Sequence, residues 1–461
     1  LSTLILAIDI GSTKVCAVIG KRQDDGRVEI SGHGVARSQG IKKGAITNIK
    51  LASKSIKKAV EDARRVSGLN ITTATISISG AYTKSINSTG VVNIPNNDIS
   101  INEINRVMQT ALYNANIPNE FEVLHVLPFK FKIDDQDFIE DPYGMNASRM
   151  EVDTHIIMTA KSSLENLKKA VNGAGIEIGK VVLSGYASSI AVINQDDKER
   201  GIAVIDLGGQ TSNLVIHVGN AIQYNYFLPV GSNNITNDLS IALHTPLDVA
   251  EELKITRGSL LNTAYSENIE LPIIGDDHNL NIVSMDIIYN IIYSRIEETL
   301  TLLADAINSS GLKNQIGAGI LLTGGMTRID GTRELAQAII PNIPIRLGQP
   351  KYISKMSKEL LSPEYSTAIG LLLYEAGYNT EYELERHKQM LHSKEYIPRE
   401  SLRDIAINSI VSDTKPKVSV SHQSSLGNLK ENDLFSDLSK EPEKSSSNPI
   451  QSFVEWAKKI F

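Results

Sequence analysis

Apolar positions follow two alternating rhythms over residues 4–378. Residues 4–10 and 15–19 are near-continuous apolar runs around a short polar turn, the pattern of two buried strands. Residues 52–66 carry apolar side chains at helical spacing, and 73–79 return to a strand pattern. Strand, helix and strand in alternation predict an α/β layered fold. The texture changes over 81–159, where short strands (122–132, 154–160), one helix (102–115) and an acidic loop (133–142) predict an inserted α+β subdomain. A helix at 164–172 and a strand at 180–183 follow, and 201–218 repeat the opening hairpin. Residues 234–308 read as helix-rich, 319–322 as a strand and 366–376 as a closing helix.

That repeat is the strongest chemical signal. Ala7-Ile8-Asp9-Ile10-Gly11-Ser12-Thr13-Lys14-Val15 aligns with Val204-Ile205-Asp206-Leu207-Gly208-Gly209-Gln210-Thr211-Ser212. Each copy is an apolar strand, an Asp, an apolar residue, a Gly and a small polar turn. A glycine lets a phosphate approach the exposed backbone N–H groups closely. Ser12, Thr13 and Thr211 add hydroxyl donors, and Lys14 adds a charge. Asp9 and Asp206 each stand at a strand mouth, where a carboxylate can hold waters around Mg²⁺. One Asp-x-Gly turn is an ordinary hairpin feature. Two at equivalent places in two α/β halves point instead to a nucleotide clamped between lobes.

Two further elements support this reading. Gly324-Gly325-Met326 closes the strand at 319–322, and a helical run follows from Thr332. A diglycine there allows flat backbone contact with a ribose and leaves helix N–H groups free for phosphate. Ala250-Glu251-Glu252-Leu253-Lys254 puts Glu251 and Lys254 on one helix face. Competing nucleotide motifs are incomplete. Gly179-Lys180 lacks the spacing of a P-loop, and Gly32-His33-Gly34 and Gly173-Ala174-Gly175 lack the third glycine of a dinucleotide fingerprint.

Composition narrows the class. Hydrophobic residues at 41% and charged ones at 21% fit a globular chain, and 461 residues require several subdomains. The net charge of -7 argues against a nucleic-acid partner. The lone Cys16 excludes an intrachain disulfide and sits in an apolar run, as a buried small hydrophobe does. Neither a signal peptide nor a membrane-spanning run is apparent, so a cytoplasmic location is expected.

These motifs resemble the phosphate 1, phosphate 2 and adenosine motifs of the actin, chaperone-ATPase and sugar-kinase superfamily. Within it, the chain is most similar to the FtsA family of bacterial cell-division proteins. Asp141-Pro142-Tyr143-Gly144-Met145 with Arg149-Met150-Glu151-Val152 looks like that family's inserted-subdomain signature, although Ala147 stands where the family often has Gly. The segment 250–254 and the C-terminal tip are the other two similar stretches. The resemblance implies an actin-like ATPase fold of two duplicated α/β lobes around a nucleotide cleft, with ATP and Mg²⁺ as ligands. It puts Asp9, Gly11, Ser12, Thr13 and Lys14 on the β/γ-phosphate side, and Asp206, Gly208, Gly209, Gln210 and Thr211 in the facing loop. Gly324, Gly325 and Met326 would meet the α-phosphate and ribose, and Glu251 with Lys254 the adenosine.

The same resemblance implies these divisions: 1–81 first lobe core, 82–160 insertion, 161–197 return and connecting helix, 198–233 second lobe core, 234–315 its helix-rich outer subdomain, 316–364 adenosine motif, and 365–395 closing helices. It also implies the tubulin-like division protein FtsZ as partner, along with other division proteins and self-assembly, at the septum on the cytoplasmic face of the inner membrane. The connecting segment 183–191 holds no Asp, Glu or Gln to orient a water, so weak or absent hydrolysis is expected. A small-molecule kinase of the same fold, or an FtsA-like pilus-assembly module, is the alternative.

Residues 396–447 read as a flexible linker, crowded beyond 412 with Ser, Lys, Asp, Glu and Pro. Residues 448–461, NPIQSFVEWAKKIF, break that pattern. At ~100° per residue, Ile450, Phe453, Val454, Trp456, Ala457, Ile460 and Phe461 share one face, with Lys458 and Lys459 on the other. This is the pattern of an amphipathic helix lying in a lipid surface. Large side chains gain ~1.5–3 kcal/mol each if fully buried, but ordering the helix costs ~1–2 kcal/mol per residue. One tip therefore binds weakly, and several held in a polymer bind tightly.

Overall fold

The computed structural model describes residues 3–219, 221–261 and 267–392. The tail and its expected membrane tip (Ile450, Phe453, Val454, Trp456, Ala457, Lys458, Lys459, Ile460, Phe461) lie outside the described residues.

The first lobe opens with β1 (Thr3–Ile10), β2 (Lys14–Arg22) and β3 (Val28–Arg37), an antiparallel meander. A small hairpin, β4 (Ile41–Lys42) and β5 (Ala45–Ile46), leads into α1 (Ile49–Ser67). Helix α1 starts where the Asn48 side chain accepts the Leu51 N–H, and it stops at Gly68, whose φ is 69°. Its Ala52, Ile56, Ala59, Val60 and Ala63 form the buried stripe that helical spacing predicts. Strand β6 (Thr73–Ile78) then lies parallel to β1.

The insertion contains β7 (Thr83–Asn93), α2 (Ile101–Asn114), β8 (Phe121–Ile133), β9 (Gln136–Ile139) and β10 (Arg149–Ala160). Helix α2 begins with a capping box in which Ser100 and Glu103 satisfy each other's backbone N–H groups. The acidic stretch after β8 is a hairpin with β9 and not an open loop, because β9 pairs with Phe131 and Ile133. The chain returns through α3 (Lys161–Gly173), β11 (Glu177–Leu183), α4 (Ser184–Val192) and α5 (Gln195–Arg200).

The second lobe repeats the first. β12 (Ile202–Leu207), β13 (Ser212–Val218) and β14 (Ala221–Leu228) form the meander. α6 (Ser232–Leu243), α7 (Leu247–Arg257), the hairpin β15 (Asn268–Ile273) and β16 (Asp276–Ser284), and α8 (Met285–Ser309) form its outer part. That hairpin interrupts a stretch expected to be helix-rich. β17 (Ile320–Thr323), α9 (Thr332–Ile339) and β18 (Ile345–Leu347) complete the lobe. The two sheets run β3-β2-β1-β6-β11 and β14-β13-β12-β17-β18. Each is three antiparallel strands followed by two parallel ones, so the duplication seen in the turn sequences extends through both lobes.

Helix α10 (Ser366–Glu375) crosses α4 between the lobes. The helices touch closely because Gly370 has no side chain, and a Cβ there would overlap the Ala187 carbonyl. Val204, Val215 and Leu321 of the second sheet pack into the cluster that contains both helices, whereas Ala203, Ile205, Leu214 and Leu322 face the outer subdomain. This alternation explains the near-continuous apolar strands, which are buried on both faces.

Closing helices were expected over 365–395, but α10 is followed by turns and a two-residue strand, β19 (Leu384–Glu385), which joins β8 of the insertion. Burial decides this. Tyr382 enters the insertion's core, and Glu383 is fully enclosed, accepting from Tyr186 and Tyr374 and meeting His125 at 2.6 Å. The Asp141-to-Met145 motif receives the same segment, since Asp141 accepts the Tyr143 N–H at 3.0 Å and the Tyr382 hydroxyl at 2.7 Å.

Candidate functional site

The two turns have the same internal geometry. Gly11 N–H donates to Lys14 O at 3.1 Å, and Gly208 N–H to Thr211 O at 2.9 Å. A Cβ would stand 2.7 Å from the carbonyl oxygen on Gly11 and 2.8 Å on Gly208, so neither turn has room for a side chain. The turns also meet. A Cβ on Gly209 would overlap the Thr13 hydroxyl, which places the two loops in contact across the lobes.

The aspartates behind the turns address one another. Asp9 accepts the Ser77 hydroxyl at 3.0 Å, and the Ser77 oxygen accepts the Ile10 N–H at 2.7 Å. Asp206 accepts the Thr367 hydroxyl of α10 at 3.2 Å and also bonds to Ser188 of α4. Burial pushes the Asp9 carboxyl up to about 6, with the charge of Asp206 adding to the rise and Ser77 and Lys14 opposing it. Burial raises Asp206 as well, against Ser188, Thr367 and Lys14. Asp9 thus feels the charge of Asp206, and both feel the Lys14 ammonium, so the two carboxyls face a common region.

Lys14 does not stand free beside the turn. Its ammonium lies 3.4 Å from Glu364 and 3.6 Å from the Tyr365 ring centroid, and burial lowers its pKa. Glu364 is also paired with Arg328 at 2.9 Å, so a charged chain runs from the first lobe's turn to the diglycine segment. Cys16, next to Lys14 in space, is fully buried and its thiol is pushed up by burial, as befits an inert core residue.

The adenosine candidates support the facing loop. Ser232 and Asn233, at the start of α6, donate N–H groups to the carbonyls of Gly208 and Gly209 at 3.0 and 2.6 Å. The buried Lys254 bolts this end of α6 to α7, donating to Glu251 at 2.7 Å, Thr236 at 2.9 Å and the Ser232 carbonyl at 3.3 Å. Gly324, at φ 91°, passes so close to Asp206 Oδ1 and Leu207 O that no Cβ fits. Gly325 begins the short helical turn that follows, against Glu364. The Met326 side chain is buried in the second lobe's core, so only its backbone can face a ligand.

The structure thus brings the two turns, both aspartates and the diglycine together, with Glu251 and Lys254 one layer behind. Sequence reasoning missed Ser77, Ser188, Glu364, Tyr365 and Thr367. None belongs to a motif, and each reaches the site only through folding.

Comparison with known proteins bears on the family and the fold. The model for the family described as cell division protein FtsA matches residues 203–370, and that for the SHS2 domain inserted in FtsA matches 80–158, which covers most of β7 through β10. The chain is 39% identical over 411 residues to cell division protein FtsA of Helicobacter pylori, spanning 82% of this chain and 83% of the relative. It is 30% identical over 393 residues to that of Escherichia coli strain K12, spanning 83% and 93%. Among solved structures, the PilM-PilN type IV pilus biogenesis complex aligns over 81% of this chain and 98% of that one, with a TM-score of 0.58 at 16% identity, a likeness of fold. Duplicated lobes, facing turns, the inserted domain and these relatives together show that the chain belongs to the FtsA family of cell-division proteins and has its actin-like fold.

Proposed function

We propose that this chain binds ATP with Mg²⁺ between its two turns, assembles on the cytoplasmic face of the membrane, and there tethers FtsZ at the division septum. The observation that carries the nucleotide part is the pair of equivalent turns in contact across the lobes, with Asp9 and Asp206 behind them. Backbone N–H groups and the hydroxyls of Ser12, Thr13 and Thr211 would take the phosphates. Glu251 and Lys254, which tie α7 to α6, would support the adenosine side through α6.

The donor set suits a hydrated dication. Two carboxylates that are costly to ionise together gain from a positive charge between them. Among the described residues no group of three or more His, Cys, Asp or Glu forms a cage. An ion at Asp9 and Asp206 would therefore keep most of its water and lean on the phosphates, as Mg²⁺ does. When bound, it would neutralise phosphate charge.

Closure of the lobes on ATP would favour self-assembly, and assembly would gather the weak lipid tips into a tight attachment. FtsZ and further division proteins enter as partners through family membership. The connecting helix α4, Ser184–Val192, holds no Asp, Glu or Gln to orient an attacking water, which supports slow hydrolysis and a scaffold role. The test compares the full chain with a variant truncated after Ser447. The truncated form should keep ATP binding and lose liposome binding, and the full chain should pellet with liposomes steeply with concentration and only with ATP. A linear, ATP-independent response would contradict the proposal.

A further inference from the structure

Between β3 and α1, the β4–β5 hairpin stands apart from both lobe sheets. It pairs Ile41 with Ile46 and Lys42 with Ala45, leaving Lys43 and Gly44 as its turn. Their φ angles are 47° and 77°, the type I′ pattern with both central residues positive. A Cβ on Gly44 would also overlap the Ser79 hydroxyl, so glycine is required twice over. This turn touches both phosphate loops. Lys43 N–H donates to Gln210 Oε1 at 2.8 Å, and Gly44 N–H donates to Ser12 Oγ at 2.9 Å.

Both recipients are amphoteric, because a hydroxyl or a primary amide can either donate or accept. The turn's two N–H groups engage the accepting atom of each. What remains is the Ser12 O–H and the Gln210 NH₂, and neither has another partner among the described residues. An anion needs donors only. We infer that the Lys43–Gly44 turn is a positioning element of the phosphate site, holding Ser12 and Gln210 donor-side toward the terminal phosphate of a nucleoside triphosphate and so setting a preference for triphosphate over diphosphate. The inference rests on the ATP reading and adds a structural reason for slow hydrolysis. A glutamine that orients an attacking water must accept from it, and one of the two acceptor positions of the Gln210 carbonyl is already taken by the Lys43 N–H.

The test measures Mg·ATP and Mg·ADP affinities of the full chain and of four variants. Gly44→Ala disrupts the turn and should lose about five- to tenfold in ATP affinity, the effect of one net hydrogen bond, with ADP affinity within about twofold. Gln210→Ala should behave alike, and the double variant should lose less than the product of the single losses, because both changes break one linkage. Should Gly44→Ala fail to fold, as the loss of a cooperative thermal unfolding transition would reveal, Lys43→Asn gives the turn the favoured Asn-Gly pair and should hold or raise the ATP preference; a fall overturns the inference. Equal losses for ATP and ADP in Gly44→Ala, or no loss in the folded variant, also overturn it. A wild-type chain that binds neither nucleotide overturns the ATP reading, and this inference with it.

Discussion

Asp9→Asn is the sharpest perturbation of the site. The substitution keeps an oxygen to accept the Ser77 hydroxyl and removes the charge, so it isolates the electrostatic contribution. Burial, with help from Asp206, lifts the Asp9 carboxyl from 3.8 to about 6. At ~1.4 kcal/mol per pH unit, ionising Asp9 costs the empty protein at most ~3 kcal/mol. Part of its surface meets solvent, so about half that figure is the working expectation. The sign follows from linkage. A raised carboxyl imposes no penalty below 3.8, a growing one between 3.8 and about 6, and the full one above. Thermal unfolding of the nucleotide-free proteins should therefore show Asp9→Asn melting above wild type at pH 8, with the gain shrinking as pH falls through 6 toward 4. With Mg·ATP at pH 8 the order should reverse, since wild type alone has the charge that the ion compensates. A variant gain that does not depend on pH, or an unchanged response to Mg·ATP, would refute the reasoning.

Three further outcomes are expected. The Mg²⁺-dependent part of ATP binding in wild type should be full above pH 7 and weaken by about tenfold per unit below pH 6, as Asp9 takes up one proton; titration calorimetry checks it. Lys254→Met removes the bolt between α6 and α7; because Glu251 is 40% exposed, the cost should be about 1–2 kcal/mol, read as a lower melting temperature together with weaker ATP binding. Glu383→Ala leaves His125, Tyr186 and Tyr374 without their shared acceptor and should cost about 3 kcal/mol or more, with faster hydrogen exchange in β19 and β8.

Legibility in the sequence tracked how local each feature is. The duplicated turns were readable because a phosphate loop needs its glycine, aspartate and flanking apolar strands within nine residues, and those appear twice. The insertion announced itself by a change of texture. Contacts made across the chain left no such mark. Thr367 reaches Asp206 from 161 residues away, and Glu364 finds Lys14 only when α10 docks between the lobes. The β15–β16 hairpin hid inside a helix-rich stretch. Strand β19 is two residues long and exists because β8 offers an edge and the insertion's core takes Tyr382. The Lys43–Gly44 turn was equally silent, since its partners on the two loops lie 167 and 32 residues distant.

The central claim is that one nucleotide is gripped from both sides, and a crystal structure of the full chain grown with Mg²⁺ and a non-hydrolysable ATP analogue tests it most directly. The phosphates should lie between residues 11–14 and 208–211, with the ion facing Asp9 and Asp206 through water. An analogue bound against one lobe alone, or away from both turns, would contradict it.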